Sequence, residues 1–227
     1  MNGSKITAVI PIRKGSQRVI DKNLRKFANK TLLELKIETL KCVTEIDEII
    51  VNTDSEKAIA IAKEHNVSYH RRTPYYASSE CSGSEYFEHL GRVTDTDIFA
   101  YCPVTSPFIE IGTIKKCICE FKNNDKCDSL ATVSLIKEFL WLNNEPINYK
   151  REEAPNSQNL PDILALNFGF SLIEKSDLIK NKNIIGQKPH FVITNDIESI
   201  DIDTPLDFYI AEQIYIKTIL NKLDILY

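Results

Sequence analysis

A short run of basic residues follows an apolar segment near the start of the chain. It reads P-I-R-K-G-S-Q-R-V-I-D-K-N from Pro11 to Asn23 and contains the cations Arg13, Lys14, Arg18 and Lys22. Gly15 would let the backbone approach an anion closely, and the cations would offset the mutual repulsion of phosphate oxygens. The run therefore suits a bound phosphate chain, although a solvated basic loop has the same composition.

Two carboxylates lie close together near the other end of the sequence. Asp201 and Asp203 are separated by one residue, so in an extended segment both side chains project to the same face. Such a pair can hold a divalent cation that also bridges phosphate oxygens, and Mg²⁺ (or Mn²⁺) is the natural candidate. Asp is also favoured just before helices, so a cap at Asp203 and a surface charge at Asp201 remain an alternative.

Other kinds of site are disfavoured by what the sequence lacks. Neither G-x-x-x-x-G-K-[ST] nor G-x-G-x-x-G occurs, which argues against a P-loop kinase or a dehydrogenase. The sequence contains no C-x-x-C pair, so the cysteines do not indicate a zinc site. No recognisable elbow presents a nucleophilic Ser or Cys beside a histidine, which agrees with a one-step displacement.

Length and composition limit the class of protein. The 227 residues suit one domain spanning 1–227, and 43% hydrophobic with 26% charged residues is typical of a globular chain. A formal net charge of -4 gives nucleic acid no general electrostatic reason to bind. Apolar runs are too short to cross a bilayer, and the N-terminus lacks the apolar stretch of a signal peptide. We therefore expect a cytoplasmic protein with no nucleic-acid or membrane partner.

Strand and helix patterns alternate through the first half of the chain. The predicted strands are Lys5–Pro11, Glu48–Asn52, Val67–His70 and Asp97–Tyr101. The predicted helices are an amphipathic segment from Leu32 onward, Ser55–Glu64, Ser84–Arg92 and Ile111–Phe121. This alternation predicts a three-layer α/β/α Rossmann-like fold with a mostly parallel sheet, in which ligands bind at the carboxyl ends of the strands.

The second half of the chain is less regular. Asn and Pro residues accumulate between 137 and 162, which we interpret as a long loop or a protruding dimerisation arm. Strands are expected again at Ile163–Ile173 and His190–Thr194. A C-terminal helix should begin after the N-cap Thr204, with Pro205 at its first position.

The motifs together resemble those of CMP-sialic acid synthetases and related acylneuraminate cytidylyltransferases. The basic run is similar to their signature I-P-A-R-x-G-S-[KQ]-x-[IV]-x-x-K-N. The resemblance continues, in the family's order, through V-N-T-D-S at Val51–Ser55, R-T-P at Arg72–Pro74 and a Ser-rich stretch to Ser84, T-S-P at Thr105–Pro107, N-F-G at Asn167–Gly169 and D-I-D at Asp201–Asp203. It covers most of the chain and implies the nucleotidyltransferase variant of the fold.

The resemblance implies transfer of CMP from CTP to the hydroxyl of a sugar acid, with release of pyrophosphate, by a homodimer. Arg13, Ser16 and Lys22 would bind the CTP phosphates, and Asn23 would lie against the nucleoside. The resemblance also implies cytosine or ribose contacts from Arg71 or Arg72 and from Ser82 or Ser84. It implies substrate contacts from Thr105, Ser106 and Asn167, and metal binding by Asp201 and Asp203. The catalytic residues that it implies are Arg13, Lys22 and Asp203. As alternatives, Arg71 and Arg72 could be solvated charges at the end of a strand, and Ser82 could cap the next helix.

The resemblance is weakest near the expected acceptor side. The family's Q-P-T-S-P-L-R is replaced by C-P-V-T-S-P-F-I from Cys102 to Ile109, so its glutamine and arginine are missing. Asn167-Phe168-Gly169 also replaces the more usual Asn-Gly-Ala. The resemblance therefore leaves the acceptor open between sialic acid, a related nonulosonic acid such as a legionaminic or pseudaminic acid, and another precursor of surface glycans. Two other hypotheses are a nucleotide-sugar-dependent glycosyltransferase and a non-catalytic nucleotide-binding homologue.

Overall fold

The computed structural model describes residues 3–15 and 22–220, with side chains described up to residue 218. The strands are β1 (Ile6–Ile12), β2 (Lys26–Phe27), β3 (Lys30–Thr31), β4 (Glu48–Thr53), β5 (Ser68–Arg71), β6 (Ile98–Tyr101), β7 (Ser129–Ile136), β8 (Trp141–Leu142), β9 (Glu145–Pro146), β10 (Ile163–Glu174) and β11 (Pro189–Ile193). The helices are α1 (Leu32–Lys41), α2 (Glu56–Glu64), α3 (Pro74–Ala77), α4 (Gly83–Val93), α5 (Ile111–Lys122), α6 (Lys175–Asn181) and α7 (Pro205–Tyr215).

Within the described residues, seven strands form one sheet in the order β11-β7-β10-β6-β1-β4-β5. Every pairing is parallel except those of β10, which runs antiparallel to both β6 and β7. The carboxyl ends of the other six strands therefore share one edge of the sheet, which we call the carboxyl edge. The mostly parallel sheet predicted from the alternating pattern is confirmed.

Helices cover both faces of this sheet. Ile6, Ala8 and Ile10 of β1 point into the larger core, where they join apolar side chains of α1, α2, α5 and α7. Val9 points the other way, into a smaller core shared with α4 and α6. The three-layer α/β/α architecture is thus confirmed. Its physical reason is that β1 is apolar on both faces, so each face has to be covered by helices.

Among the helices in the described ranges, three begin with a capping box. Thr31 with Glu34, Ser82 with Glu85 and Thr204 with Asp207 each exchange side-chain and backbone hydrogen bonds at the starts of α1, α4 and α7. Such boxes satisfy two backbone N–H groups that a helix leaves unpaired at its first turn. The predicted Thr204 cap and the position of Pro205 are confirmed. No helix in the described ranges is long and apolar enough to span a membrane.

The second half departs from the sequence prediction in two places. β7 and α6 were not predicted, and β7 lies between β10 and β11 at the centre of that half of the sheet. Residues 137–162 are not a featureless loop, because they contain the β8–β9 pair and two 3-10 turns at Arg151–Glu153 and Ser157–Asn159. The sequence between 137 and 162 is rich in turn residues, so the two-residue strands β8 and β9 could not be recognised from it.

Candidate functional site

The carboxyl edge brings four of the sequence motifs together. Arg13 follows β1, Asp54 follows β4, Arg72 follows β5, and the turn containing Thr105 follows β6. Gly15 adopts a left-handed φ of 75°, which a residue with a side chain would adopt only with strain. Asp54 Oδ1 accepts a hydrogen bond from the Lys14 backbone N–H at 2.7 Å, so β4 holds the start of the basic run.

Two cavities open at this edge and share Arg13 and Asn23. The loop cavity, of about 260 Å³, is lined by the basic run and the start of α2, including Arg13, Lys14, Lys22 and Asn23. The edge cavity, of about 440 Å³, is lined by residues that include Arg13, Asn23, Arg72, Tyr86 and Thr105. Asn23 Oδ1 is buried and has no hydrogen-bond partner among the described residues. The two cavities are therefore adjacent.

Lys22 connects the loop cavity to the acidic pair. Its ammonium group is buried and donates a hydrogen bond to the backbone oxygen of Ile202. The same Nζ lies 3.6 Å from Asp203 Oδ1. The backbone N–H of Ile202 donates to the Thr105 carbonyl oxygen at 2.9 Å. Ile202 therefore holds Asp201 and Asp203 beside the lysine on one side and the Thr105 turn on the other.

The acidic pair offers carboxylate oxygens, which are the type of donor that magnesium and manganese ions prefer. Burial raises the pKa of the Asp201 carboxyl, and the charge of Asp203 adds to this, whereas the Thr105 hydroxyl and the Lys22 ammonium oppose it. Asp201 Oδ1 is buried and has no hydrogen-bond partner within the described parts of the chain. Those parts contain no cluster of three or more acidic, His or Cys side chains suited to a metal. Mg²⁺ commonly uses one or two carboxylates and completes its shell with phosphates and water, so the pair fits that ion better than zinc.

Arg72 is held in the edge cavity by a buried network. Its Nε donates to Asn52 Oδ1 at 2.7 Å, and one Nη donates to the Asn52 carbonyl oxygen at 3.0 Å. The guanidinium carbon lies 4.3 Å from the centre of the Tyr86 ring, and the Tyr86 hydroxyl also donates to Asn52 Oδ1 at 2.8 Å. Burial raises the pKa of Tyr86. Asn52 was not singled out as a site residue, although a polar side chain ending a buried strand is a signal that could have found it.

Arg71 and the two serines are placed differently. Arg71 is exposed and forms an ion pair with Glu56, on the first turn of α2. Ser82 lines the edge cavity, but its hydroxyl caps α4 by accepting from the Glu85 N–H at 3.2 Å. Ser84 lies in the exposed first turn of α4. Ser16 belongs to residues 16–21, outside the described residues, so the prediction for it is not tested.

Ser106 and Asn167 are buried beneath the Thr105 turn. Ser106 Oγ donates to the Asn167 carbonyl oxygen at 3.3 Å. The Asn167 amide donates to Thr194 Oγ1 at 2.8 Å and its Oδ1 accepts from Thr132 Oγ1 at 2.7 Å. These bonds stabilise an irregularity in β10 between Leu166 and Ser171. Of the three predicted substrate contacts, Thr105 lies at the edge cavity, whereas the other two side chains are engaged within the protein.

The position of the family's missing arginine is part of the core in this chain. Ile109 is 3% exposed and belongs to the larger core. A Cβ atom added to Gly169 would lie 3.3 Å from Ile109 Cδ1, so the side chain packs closely under the β10 irregularity. Position 109 therefore offers no cation to a ligand.

A second buried lysine, not predicted from the sequence, supports the Thr105 turn from below. Lys36 lies on the apolar face of α1, three residues after Leu33 and four before Leu40, and is 2% exposed. Its Nζ donates to the Ser106 carbonyl oxygen at 2.8 Å. Burial lowers the pKa of Lys36 to about 8. A lysine on the apolar face of an amphipathic helix is the sequence signal that could have identified it.

The Lys36 pKa predicts a specific dependence of stability on pH. The folded pKa lies below the ordinary value of 10.5, so between pH 8 and 10.5 the folded chain binds fewer protons than the unfolded chain. Stability from this group therefore rises with pH in that window. We expect the free energy of unfolding of the wild type, minus that of Lys36→Met, to increase by about 2 kcal/mol from about pH 7.5 to about pH 10. Urea unfolding of both proteins measures this difference; a constant difference would contradict a buried ammonium.

Most of the chain is similar to known proteins. Residues 7–185 match the family model described as cytidylyltransferase. The chain is 26% identical over 233 residues to an N-acylneuraminate cytidylyltransferase of Escherichia coli, with 98% of this chain and 55% of that protein covered. It is 28% identical over 230 residues to a CMP-N,N'-diacetyllegionaminic acid synthase of Legionella pneumophila, with 92% of this chain and 96% of that protein covered. The chain thus spans about half the length of the first relative and nearly all of the second.

A solved structure has the same fold. It is a CMP:2-keto-3-deoxy-manno-octonic acid synthetase in complex with CTP, with a TM-score of 0.70 and 16% sequence identity. The alignment covers 93% of this chain and 98% of the other. At this identity the likeness concerns the fold alone, and it extends to both halves of the sheet.

Proposed function

Because the chain belongs to the cytidylyltransferase family, we propose that it transfers CMP from CTP to the hydroxyl of a sugar acid and releases pyrophosphate. The observation that carries the proposal is the loop cavity, whose buried Lys22 lies between the basic run and the Asp201/Asp203 pair. Cations and carboxylates at one point are what a metal–triphosphate complex requires. We also propose that the reaction takes place in the cytoplasm, which cell fractionation would test.

We propose that the triphosphate lies in the loop cavity and the nucleoside in the edge cavity. Arg13 and Lys22 bind phosphate oxygens, and the resemblance adds Ser16 to them. Asn23, in the wall between the cavities, has a buried oxygen available for the nucleoside. Arg72 lines the edge cavity, whereas Arg71 does not, so we assign the nucleoside contact to Arg72.

The reaction is a single displacement at phosphorus. The acceptor hydroxyl oxygen forms a bond to the α-phosphorus of CTP, the bond from that phosphorus to the bridging oxygen breaks, and pyrophosphate leaves with the electron pair. The hydroxyl proton is lost to solvent. Negative charge develops on the leaving group, so Arg13 and Lys22 stabilise the transition state through positions fixed in advance.

We further propose that Asp201 and Asp203 hold Mg²⁺ or Mn²⁺. When bound, the ion neutralises phosphate charge and fixes the orientation of the triphosphate. The buried, unpartnered Oδ1 of Asp201 supports this assignment. Lys22, 3.6 Å from Asp203 Oδ1, keeps the pair from repelling the incoming phosphates.

We propose that the acceptor is sialic acid or a related nonulosonic acid, such as a legionaminic acid, and that the product serves surface-glycan synthesis. The support is the relatives, whose names include both an acylneuraminate and a diacetyllegionaminic acid enzyme. Thr105 is the predicted acceptor contact that lines the edge cavity. Mass spectrometry of reactions containing CTP and each acid would identify the CMP-sugar. Consumption of a nucleotide-sugar without any CMP-sugar formed from CTP would indicate a glycosyltransferase instead.

We also propose a homodimer formed through residues 137–162. This segment exposes four large apolar side chains, which are costly to leave in water: Phe139, Trp141, Leu142 and Ile147. Multi-angle light scattering should give twice the mass of one 25.9 kDa chain. Leu142→Glu should shift the protein towards the monomer, whereas a monomeric wild type would contradict the proposal.

A further inference from the structure

Lys36 is a buried cation whose presence needs a physical reason. Taking an ammonium group out of water costs several kcal/mol, and buried lysines usually have a carboxylate partner. Among the described residues, the hydrogen bond found for Lys36 Nζ is the one to the Ser106 carbonyl oxygen. The buried thiol of Cys102, whose pKa burial raises to about 12, is the titratable neighbour that acts on it. An apolar side chain on this face of α1 would cost less, so the lysine has a use other than packing.

The carbonyl held by Lys36 belongs to the turn that is hydrogen-bonded to the Asp201–Asp203 segment. Ser106 follows Thr105, whose own carbonyl oxygen accepts the Ile202 N–H at 2.9 Å. The carbonyl oxygen of Ile202 in turn accepts a hydrogen bond from Lys22 Nζ. The ammonium groups of Lys36 and Lys22 therefore belong to one series of hydrogen bonds. This series runs from α1 through the Thr105 turn to the Asp201–Asp203 segment.

We propose that Lys36 is a positioning residue that aligns Asp201 and Asp203 for the metal–nucleotide complex. This inference rests on the proposed function. Without the ammonium group, the buried Ser106 carbonyl would lose its donor, and the turn would relax towards another partner or water. Sites for metal and phosphate tolerate shifts of only about 0.5 Å before affinity falls. A displacement of the Thr105 carbonyl would be transmitted directly to Ile202 and to both carboxylates.

The test separates positioning from general stability. We replace Lys36 by Met, which keeps the length of the side chain but removes the donor and the charge. Calorimetric titration with Mn²⁺·CTP, without acceptor, should give an affinity about tenfold or more below that of the wild type. Titration with CTP in EDTA should change by less than about threefold. Thermal unfolding should show no loss of stability, since an unpaired buried charge has been removed.

Lys41→Met is the matched control. Lys41 is the last residue of α1 and also donates to a backbone carbonyl oxygen, that of His65, but this contact has no link to the acidic pair. Its affinity for Mn²⁺·CTP should equal that of the wild type.

Each outcome is informative. Equal Mn²⁺·CTP affinity in wild type and Lys36→Met would overturn the positioning role, as would an equal loss for Mn²⁺·CTP and for metal-free CTP. If Lys36→Met does not fold, Lys36→Leu replaces it, and failure of both to fold would overturn the proposal by making the lysine structural. A wild type that does not bind Mn²⁺·CTP would instead contradict the proposed function.

Discussion

Replacing Lys22 by alanine is expected to lower kcat for CMP transfer by about 10²- to 10³-fold. The residue is 7% exposed, and its side chain places a fixed cation between the loop cavity and Asp203, where charge develops as pyrophosphate leaves. A preorganised charge of this kind acts mainly on the transition state, so kcat should fall more than KM for CTP rises. Steady-state kinetics with CTP and the best acceptor measure both constants.

Lys63→Ala is the control for this change. Lys63 lies on α2 over the Tyr69 ring and away from both cavities, so its removal should leave kcat unchanged. Circular dichroism and thermal unfolding would establish that Lys22→Ala is folded. A folded Lys22→Ala protein with kcat within about threefold of the wild type would refute the role assigned to the lysine.

Changing Asp203 to asparagine is expected to lower turnover by about 10²- to 10³-fold at a fixed Mg²⁺ concentration. Asparagine keeps the shape of the side chain but removes the charge that attracts the ion. The metal concentration needed for half-maximal activity should therefore rise, and titration with Mg²⁺ measures it. Asp95→Asn, a fully exposed carboxylate at the opposite edge of the sheet, should behave as the wild type. Unchanged metal dependence in Asp203→Asn would argue that the ion is held elsewhere.

Local sequence patterns predicted much of the fold. β1, β4 and the helices α1, α2, α4 and α5 are strongly patterned segments, whereas the four-residue α3 was not predicted. Thr204-Pro205 marks the start of α7 by cap chemistry. The insertion of the antiparallel β10 between β6 and β7 was not predictable in this way. Which strands become neighbours depends on long-range packing, and periodicity within one segment carries no information about it.

The same limit applies to individual site residues. Arg71 and Arg72 are adjacent, and a strand directs adjacent side chains to opposite faces, so sequence alone could not choose between them. The hydrogen bonds from Arg72 to Asn52 hold its side chain in the edge cavity. Asn167 matched a family motif, yet its amide is engaged with Thr132 and Thr194. Motifs identify positions, whereas hydrogen-bond partners decide whether a side chain faces a ligand.

The most direct test of the account is pyrophosphate release from CTP in the presence of a panel of nonulosonic acids. We expect release that requires both CTP and one of the acids, that depends on Mg²⁺ or Mn²⁺, and that is accompanied by an equal amount of CMP-sugar. Absence of release with every acid, from a folded protein that is given metal and CTP, would contradict the assignment as a cytidylyltransferase acting on sugar acids.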